Sequence, residues 1–235
     1  VQFLPGLASE RFGANSFVHY GATSSYEFQV ANNYAVAGRI DNYSVPGLRI
    51  GMSGYWGRTF KNTLKTNGSR YEKVKGDLAI GSIDFTYDNH NWIIRGNADY
   101  AHLDDANAIT AFNKNYPLHS AQDGSPSKHQ PVASNAVAVA IEAGYDVFSR
   151  FAKLRESKDR LYVFGKYEYY DAMASSTYRS SYEWCKTNRI AFGLNYFPIR
   201  DLVIKAEYSK RFLKSTFNNE PSISVGVAWS GVLVN

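Results

Sequence analysis

The chain has 235 residues, a formal net charge of +5 and a mean hydropathy of −0.37, with 44% hydrophobic and 15% aromatic residues. It contains no run of 18 apolar residues, which argues against a membrane protein built from transmembrane helices. Its single cysteine, Cys185, excludes an internal disulfide and is expected to be inert packing. The positive charge favours anionic partners, but the chain has no strongly basic helix and no nucleic-acid-binding motif, so we expect no nucleic-acid partner.

Ten segments alternate apolar and polar side chains with the two-residue period of a β-strand. In chain order they are residues 26–30, 36–41, 48–57, 79–88, 92–103, 136–146, 161–170, 189–197, 202–211 and 222–230. The segment 92–103 shows the pattern most clearly. Trp92, Ile94 and Tyr100 share one face of this segment, whereas Arg95 and Asp99 share the other. The sequence therefore predicts strands with one apolar and one polar face.

Strands of about ten residues have the length that an outer-membrane barrel needs. At about 3.3 Å per residue and a tilt near 45°, ten residues span roughly 24 Å, close to the apolar band of about 25 Å. A Lys or Arg that faces lipid at mid-membrane costs roughly 2–4 kcal/mol, and the alternation keeps the strand Lys and Arg residues off the apolar faces. We therefore predict an all-β fold, an antiparallel transmembrane β-barrel with about ten strands in this chain.

The polar faces of these strands are predicted to line the lumen of the barrel. The predicted pore-lining residues are Arg39, Arg49, Asp84, Arg95, Asp99, Glu142, Lys166, Glu168, Arg189, Lys205 and Glu207. Asp41 and Asp146 lie on the same faces and make the wall nearly neutral. We expect the carboxylates to pair with neighbouring Arg and Lys across strands.

The connections between the strands alternate in length, as they do in an outer-membrane barrel. Short turns at 44–47, 89–91 and 198–201 alternate with long polar stretches at 58–76, 104–132, 172–183 and 213–220. The exception is 148–160, which is either a charged periplasmic loop or a short helix. The longest stretch, 104–132, either folds into the lumen as a constriction or stays a flexible surface loop.

One of the long connections is strongly basic. Its cations are Arg58, Lys61, Lys65, Arg70, Lys73 and Lys75. At an extracellular mouth this basic loop would raise the local concentration of anions. The alternative is a solvated loop, or one that bridges the phosphates of lipopolysaccharide. Because the predicted wall is nearly neutral, any preference for anions would come mostly from the loops.

Signals for catalysis are weak. The five histidines are single residues of turns and loops without metal-ligand spacing: His19, His90, His102, His119 and His129. The segment 51–54 (GMSG) lacks the spacing of a nucleophile elbow, and no glycine-rich stretch precedes a helix as a phosphate loop does. We therefore predict no catalytic residue, no metal site and no cofactor.

Four segments resemble hairpins of the phosphate-selective porin O and P-like family. They are 34–57 (YAVAGRIDNYSVPGLRIGMSGYWG), 83–99 (IDFTYDNHNWIIRGNAD), 144–171 and 189–208. The resemblance runs from about residue 26 to residue 229. It implies a Gram-negative outer-membrane barrel that passes small anions or other solutes by diffusion.

Barrels of that family usually have about sixteen strands, a number at which an aqueous channel opens. We therefore expect residues 1–235 to form one barrel domain that matches the C-terminal part of a larger barrel and lacks its N-terminal strands. A smaller closed barrel is the alternative.

The expected function is that of a porin-like channel, without enzymatic activity, for passive diffusion of small solutes in the outer membrane of a Gram-negative bacterium. The alternatives are a structural or accessory barrel subunit of an outer-membrane complex, and a soluble β-sandwich or barrel enzyme. The expected partners are outer-membrane lipid, lipopolysaccharide, small solutes that include anions, and a second copy or another subunit of a complex.

Overall fold

The described part of the chain folds into one antiparallel sheet of ten strands. The computed structural model describes residues 1–9, 12–14, 17–22, 33–60, 71–115, 131–155, 159–176, 182–212 and 221–230. The strands are β1 (Gln2–Pro5), β2 (Tyr34–Val45), β3 (Leu48–Arg58), β4 (Asp77–Asn89), β5 (Trp92–Leu103), β6 (Asn135–Asp146), β7 (Arg160–Ser175), β8 (Lys186–Ile199), β9 (Leu202–Phe212) and β10 (Ser222–Trp229). The helices are α1 (Ala106–Asn115) and α2 (Ala152–Arg155), with short 3-10 helices at His19–Ala22, Val147–Arg150 and Glu183–Cys185.

Each strand pairs with its neighbours in sequence, in the order β1 to β10. The predicted all-β antiparallel fold is therefore confirmed. Nine of the ten predicted segments overlap the strands β2 to β10. The tenth, 26–30, lies outside the described residues, and the sequence did not predict β1. Among the described helices, none has both the length and the apolar character needed to cross a bilayer.

One face of the sheet is a continuous apolar surface. Register sets Ile40 beside Met52, Met52 beside Ile83, Ile83 beside Ala98, and Ala98 beside Val139. We call this face the apolar belt, and its large exposed members are Ile40, Met52, Ile83, Val139, Ile141, Val163, Phe192, Leu194, Ile204, Ile223, Val225 and Val227. Ile83 remains 52% exposed in the middle of the sheet. A soluble protein rarely exposes an apolar surface of this extent.

The packed core lies on the opposite face, which we call the inner face, at the end of the sheet that carries the long connections. Leu78 and Leu103 are paired across β4 and β5 and are almost fully buried. They pack in one cluster with Ile109 of α1 and with Phe12 and Phe60 from two other long connections. The core is therefore local and joins three connections to the inner face of the sheet.

The short connections lie at the other end of the sheet. Gly47 turns the β2–β3 hairpin with a φ of +79°, a conformation that favours glycine. His90 and Asn91 both have positive φ at the β4–β5 turn, as a two-residue hairpin of type I′ requires. The connection between β6 and β7 contains the 3-10 helix and α2, which agrees with the short-helix alternative for 148–160.

Gly193 allows close packing between strands on the inner face. The ring of Phe164 on β7 lies over Gly193 on β8, its partner in the register. A Cβ atom at Gly193 would lie 2.5 Å from Cζ of Phe164 and would also clash with the backbone oxygen of Ala206. The aromatic ring covers the space that a side chain at Gly193 would fill.

We predict that Gly193→Ala lowers the free energy of unfolding by roughly 1–3 kcal/mol, because a backbone oxygen must move to admit the methyl group. The measurement is the urea-unfolding midpoint of the full-length protein in lipid vesicles. The matched control is Gly226→Ala on the same face of β10, where a Cβ would meet nothing within 4 Å. Equal midpoints for the two variants would contradict the packing argument.

Candidate functional site

The strands bring the charged residues of the sequence to the inner face. Register sets Arg49 beside Thr86, Thr86 beside Arg95, Arg95 beside Glu142, and Glu142 beside Lys166. The eleven residues predicted to line a pore all have the parity of this row, opposite to the parity of the apolar belt. The inner face is therefore a charged surface, and its role as a pore wall remains a prediction.

Two arginines and two aspartates close a ring of ion pairs on β2, β3 and β4. Arg39 contacts Asp41 at 2.8 Å and Asp84 at 2.9 Å. Arg49 contacts the same two carboxylates, Asp41 at 2.8 Å and Asp84 at 2.5 Å. Each charge of this Arg–Asp ring thus has two partners of opposite sign, and the four charges sum to zero. We expect each guanidinium to be held in place, because it bonds two carboxylates at once.

Glycine at position 51 leaves room for the Arg–Asp ring. Gly51 lies on β3 between Asp41 and Asp84 in the register. A Cβ there would clash with Nη2 of Arg39 and would lie 2.8 Å from Oδ1 of Asp41. Arg39 therefore crosses β3 over Gly51 to reach Asp84 on β4. Beside the ring, Arg39, Ser53 and Ser82 are among the residues that line a concavity of about 430 Å³.

A second charge network joins β7, β8 and β9. Nζ of Lys166 lies 2.6 Å from Glu168, and Arg189 contacts Glu168 at 2.9 Å and Glu207 at 2.6 Å. Arg189 also donates to the hydroxyl of Ser209 at 3.1 Å. This chain of two cations and two carboxylates is neutral, like the Arg–Asp ring.

Between and beside these networks the inner face carries charges without an ion-pair partner. Arg95 and Lys205 are exposed, and neither makes an ion pair with a described residue. Asp99 accepts hydrogen bonds from Ser82 and from Asn97, the latter at 2.6 Å. Arg95 and Lys205 are therefore the cations of this face most available to a solute.

The helix α1 lies against the inner face at the end with the long connections. Ile109 is fully buried, and Phe112 packs edge-on against Phe60 and Tyr71 with ring centroids 5.0 and 5.2 Å apart. The strand residues in the same cluster, such as Leu78, belong to the inner face. Residues 104–115 of the stretch 104–132 therefore lie against the inner face, and their role as a constriction in a lumen stays a prediction. Residues 116–130 lie outside the described part.

Polar groups also attach α1 to three other segments. The Asp105 carboxylate, just before α1, accepts from the backbone N–H of Lys75 at 3.0 Å. Thr110 accepts from the N–H of Val132 at 3.0 Å, and Asn113 donates to the carbonyl of Ser9 at 3.1 Å. Both packing and hydrogen bonds therefore hold α1 over one end of the inner face.

The predicted basic loop is described only in part. Arg58 pairs with Asp77 at 3.6 Å, and Lys73 and Lys75 are exposed. Lys61, Lys65 and Arg70 lie outside the described residues, so the loop remains a prediction there.

Two of the described histidines, His90 and His102, are bound to neighbouring polar groups. His102 lies between Asn135 at 2.6 Å and Asp104 at 3.1 Å, and His90 bonds the hydroxyl of Tyr87 at 3.1 Å. Within the described part of the chain, no three His, Cys, Asp or Glu side chains are grouped as metal ligands would be. His119 and His129 lie outside that part.

Cys185 is buried at the end of the 3-10 helix that precedes β8. It is 2% exposed and packs with Ala14, Ala133 and Met173. Burial, together with the negative charge of Asp171, raises the pKa of the Cys185 thiol to about 12. The thiol is therefore protonated and unreactive at neutral pH.

The sequence contained a signal for α1 that strand periodicity did not use. Ala106, Ile109 and Asn113 recur at the helical spacing i, i+3 and i+7, and all are buried. The charge networks had no comparable signal, because their partners lie up to 45 residues apart in the chain.

Comparison with sequences of known proteins gives limited information. No protein-family model matches the chain. A protein of Aquifex aeolicus (strain VF5), described only as uncharacterized, is 28% identical over 195 residues, which is 81% of this chain and 40% of that protein. The chain therefore spans about two fifths of the length of this relative. Membership of the phosphate-selective porin O and P-like family remains a prediction.

Comparison with solved structures identifies the fold. A porin structure refined at 1.8 Å resolution has a TM-score of 0.50 and 12% identity, over 86% of this chain and 53% of the porin chain. A loop-deletion mutant of OmpT, an outer membrane protein of Vibrio cholerae, has a TM-score of 0.45 and 15% identity, over 86% of this chain and 60% of OmpT. The similarity to the porin shows that the sheet has the fold of a porin barrel wall.

We predict that Ile109→Ala loosens α1 locally, because removing a fully buried Ile side chain costs about 2–5 kcal/mol. Hydrogen exchange of the α1 amides should become faster, whereas exchange in β4 and β5 should not change. The control is Asn107→Ala on the exposed side of α1. Unchanged exchange in Ile109→Ala would show that packing does not hold the helix.

We also predict that at pH 8 a thiol reagent labels Cys185 about 1,000-fold more slowly in the folded protein than in denaturant, because little thiolate forms at a pKa of about 12. Absorbance after addition of an aromatic disulfide measures both rates. Rates within tenfold of each other would mean that the thiol is accessible.

Proposed function

We propose that the protein is a porin-like channel of the outer membrane through which small solutes diffuse passively. The observation that carries this proposal is the two-sided sheet, with the apolar belt on one face and ion-paired charges on the other. A sheet of this kind is stable where lipid covers one face and water covers the other. The fold of a porin barrel wall supports the same function.

The apolar belt supports a location in the outer membrane. Large side chains of the belt, such as Phe192 and Leu194, remain 60% and 45% exposed. Exposure of so many apolar side chains to water would cost free energy, whereas exposure to lipid would not. Trp92 and Tyr145 pack together at the end with the short turns, with ring centroids 4.8 Å apart. Aromatic side chains of this kind favour the membrane–water interface.

The inner face supports passage of solutes rather than catalysis. Asp84, Glu168 and Glu207, which could act as acids or bases, are each bonded to an arginine. The proposed protein is therefore a channel and not an enzyme.

We propose a preference for anions as part of this function. The two charge networks are neutral, and the cations Arg95 and Lys205 are balanced by Asp99 and Glu142, so the basic loop decides the sign of the field. The net charge of +5 supports the same preference. We also propose that the protein belongs to the phosphate-selective porin O and P-like family, without assigning phosphate as its solute.

The proposed pore is wider than these ten strands alone would form. One edge of β1 and one edge of β10 have no partner among the described strands, and β10 is exposed along its whole length. Open edges of this kind need partner strands. The pore width follows from the total number of strands, and about 16–18 strands give an aqueous channel. The same open edges also favour a second candidate function. In that case the protein would be a structural subunit of an outer-membrane complex, and strands of another protein would pair with β1 or β10.

Single-channel recording of the full-length protein in planar bilayers tests the proposed function. We expect a current that rises in proportion to voltage and a conductance that rises in proportion to salt concentration, as in a water-filled pore. A correctly folded protein without conductance, purified as a stable complex with another subunit, would refute the channel and favour the structural role.

We predict that Asp84→Asn raises the permeability of chloride relative to potassium by about two- to threefold. The change leaves one uncompensated positive charge in the Arg–Asp ring. A unit charge about 7 Å from an ion in water is worth about 0.6 kcal/mol, which 0.1 M salt roughly halves, and its sign is opposite for chloride and for potassium. The reversal potential across a KCl gradient measures the ratio. The control is Asp201→Asn, the same charge change in the β8–β9 turn. Equal reversal potentials for both variants would place Asp84 outside the solute path.

A further inference from the structure

The connection between β6 and β7 is unlike the other connections at its end of the sheet. It runs over residues 147–159, whereas the β2–β3 and β4–β5 turns have two residues each. A longer connection at this end is unnecessary for pairing β6 with β7. Its structure and its charges therefore need their own explanation.

Asp146 fixes the start of this connection. The side chain is 2% exposed, and its Oδ1 accepts from the N–H groups of Phe148 at 3.1 Å and Leu161 at 3.3 Å. Arg160 contacts the other carboxylate oxygen at 3.3 Å. Ser149 donates to the carbonyl of Asp146 at 2.6 Å. One buried carboxylate therefore binds the start of the connection to both β6 and β7.

The connection folds back toward the apolar belt. Cζ of Arg150 lies 5.4 Å from the centroid of the Tyr145 ring, and the ring of Phe148 packs edge-on against Tyr196 with centroids 6.2 Å apart. Tyr145 and Tyr196 have the parity of the apolar belt. Arg150 is therefore placed beside the rim of the belt, where a cation lies over an aromatic face.

The outer surface of the connection is both basic and apolar. Phe151 is 56% exposed, and Arg150 and Lys153 are exposed on either side of it. Neither cation makes an ion pair with a described residue. An exposed aromatic ring close in sequence to two exposed cations, at the edge of an apolar surface, matches the boundary between acyl chains and headgroups.

We propose that Arg150, Phe151 and Lys153 form a binding site for an anionic phospholipid of the leaflet next to the short turns. The phosphate lies against the two cations, and Phe151 enters the boundary between headgroups and acyl chains. The inference rests on the proposed location in the outer membrane. Continuity with the apolar belt favours a lipid over a soluble partner. In the proposed location acyl chains cover the belt, and Tyr145 and Tyr196 lie at its edge beside the connection.

The test measures binding of phosphatidylglycerol to the full-length protein in detergent by native mass spectrometry. Each basic residue near an anionic membrane surface contributes enough to change affinity about fivefold. We therefore expect Arg150→Gln/Lys153→Gln to weaken the tightest binding event on the order of 20-fold. Arg150→Lys/Lys153→Arg, which keeps both charges, should bind like the unchanged protein.

The matched control is Lys186→Gln/Lys210→Gln. These lysines also lie over aromatic rings, at 5.8 Å from Tyr169 and 5.7 Å from Phe212, but near the end with the long connections. An equal loss of binding in the control would overturn the site, as would unchanged binding in Arg150→Gln/Lys153→Gln. Displacement of the lipid by millimolar inorganic phosphate would show a site for a soluble anion and would also overturn it.

Conductance separates this inference from the proposed function. Arg150→Gln/Lys153→Gln should conduct normally in neutral phosphatidylcholine bilayers, because the site lies outside the solute path. Charge-dependent lipid binding without conductance in the unchanged protein would refute only the channel. Normal conductance without charge-dependent lipid binding would refute only the lipid site.

Discussion

The two-residue alternation of the strands, held in one register across the whole sheet, is the constraint on which the other features depend. Since neighbouring side chains point to opposite faces, a slip of one residue would move Arg49, Arg95 and Lys166 onto the apolar belt. The register therefore decides at once what meets lipid and what meets water in the proposed barrel. Aromatic rings packed over glycines in the paired strand, as with Phe164 over Gly193, favour one register over its neighbours.

Pairing of charges is the second consequence of that alternation. The strands gather cations and carboxylates on one face, where side chains such as Asp84 retain only 18% of their exposure. Charges that lose part of their hydration are stabilised by partners of opposite sign. The Arg–Asp ring and the network around Arg189 supply such partners and are both neutral. The charges outside these networks, Arg95 and Lys205 against Asp99 and Glu142, also sum to zero, so the inner face is close to neutral.

The two ends of the sheet use their connections in opposite ways. The long connections fold over the inner face, where α1 is buried through Ile109 and fixed through Thr110 and Asn113. The 147–159 connection folds toward the apolar belt instead and presents Phe151 there. At the end with the long connections, apolar packing of α1 narrows the proposed pathway. At the end with the short turns, a basic and apolar surface lies at the proposed membrane boundary. The difference arises because the apolar residues of the long connections pack on the inner face, whereas Phe148 packs against Tyr196 of the apolar belt.

The sequence alone determined the strands β2 to β10, their two faces, the alternation of short and long connections and the parity of every predicted wall residue, because these depend only on local periodicity. It did not predict β1, whose four residues are too few to show a period, and it treated α1 as part of a polar loop although Ala106, Ile109 and Asn113 have helical spacing. Only the tertiary structure decided which charges pair, because Arg39 reaches Asp84 across a whole strand and 45 residues of chain. It also decided that α1 covers the inner face, since that position depends on apolar residues from three separate connections that meet only when the sheet has formed.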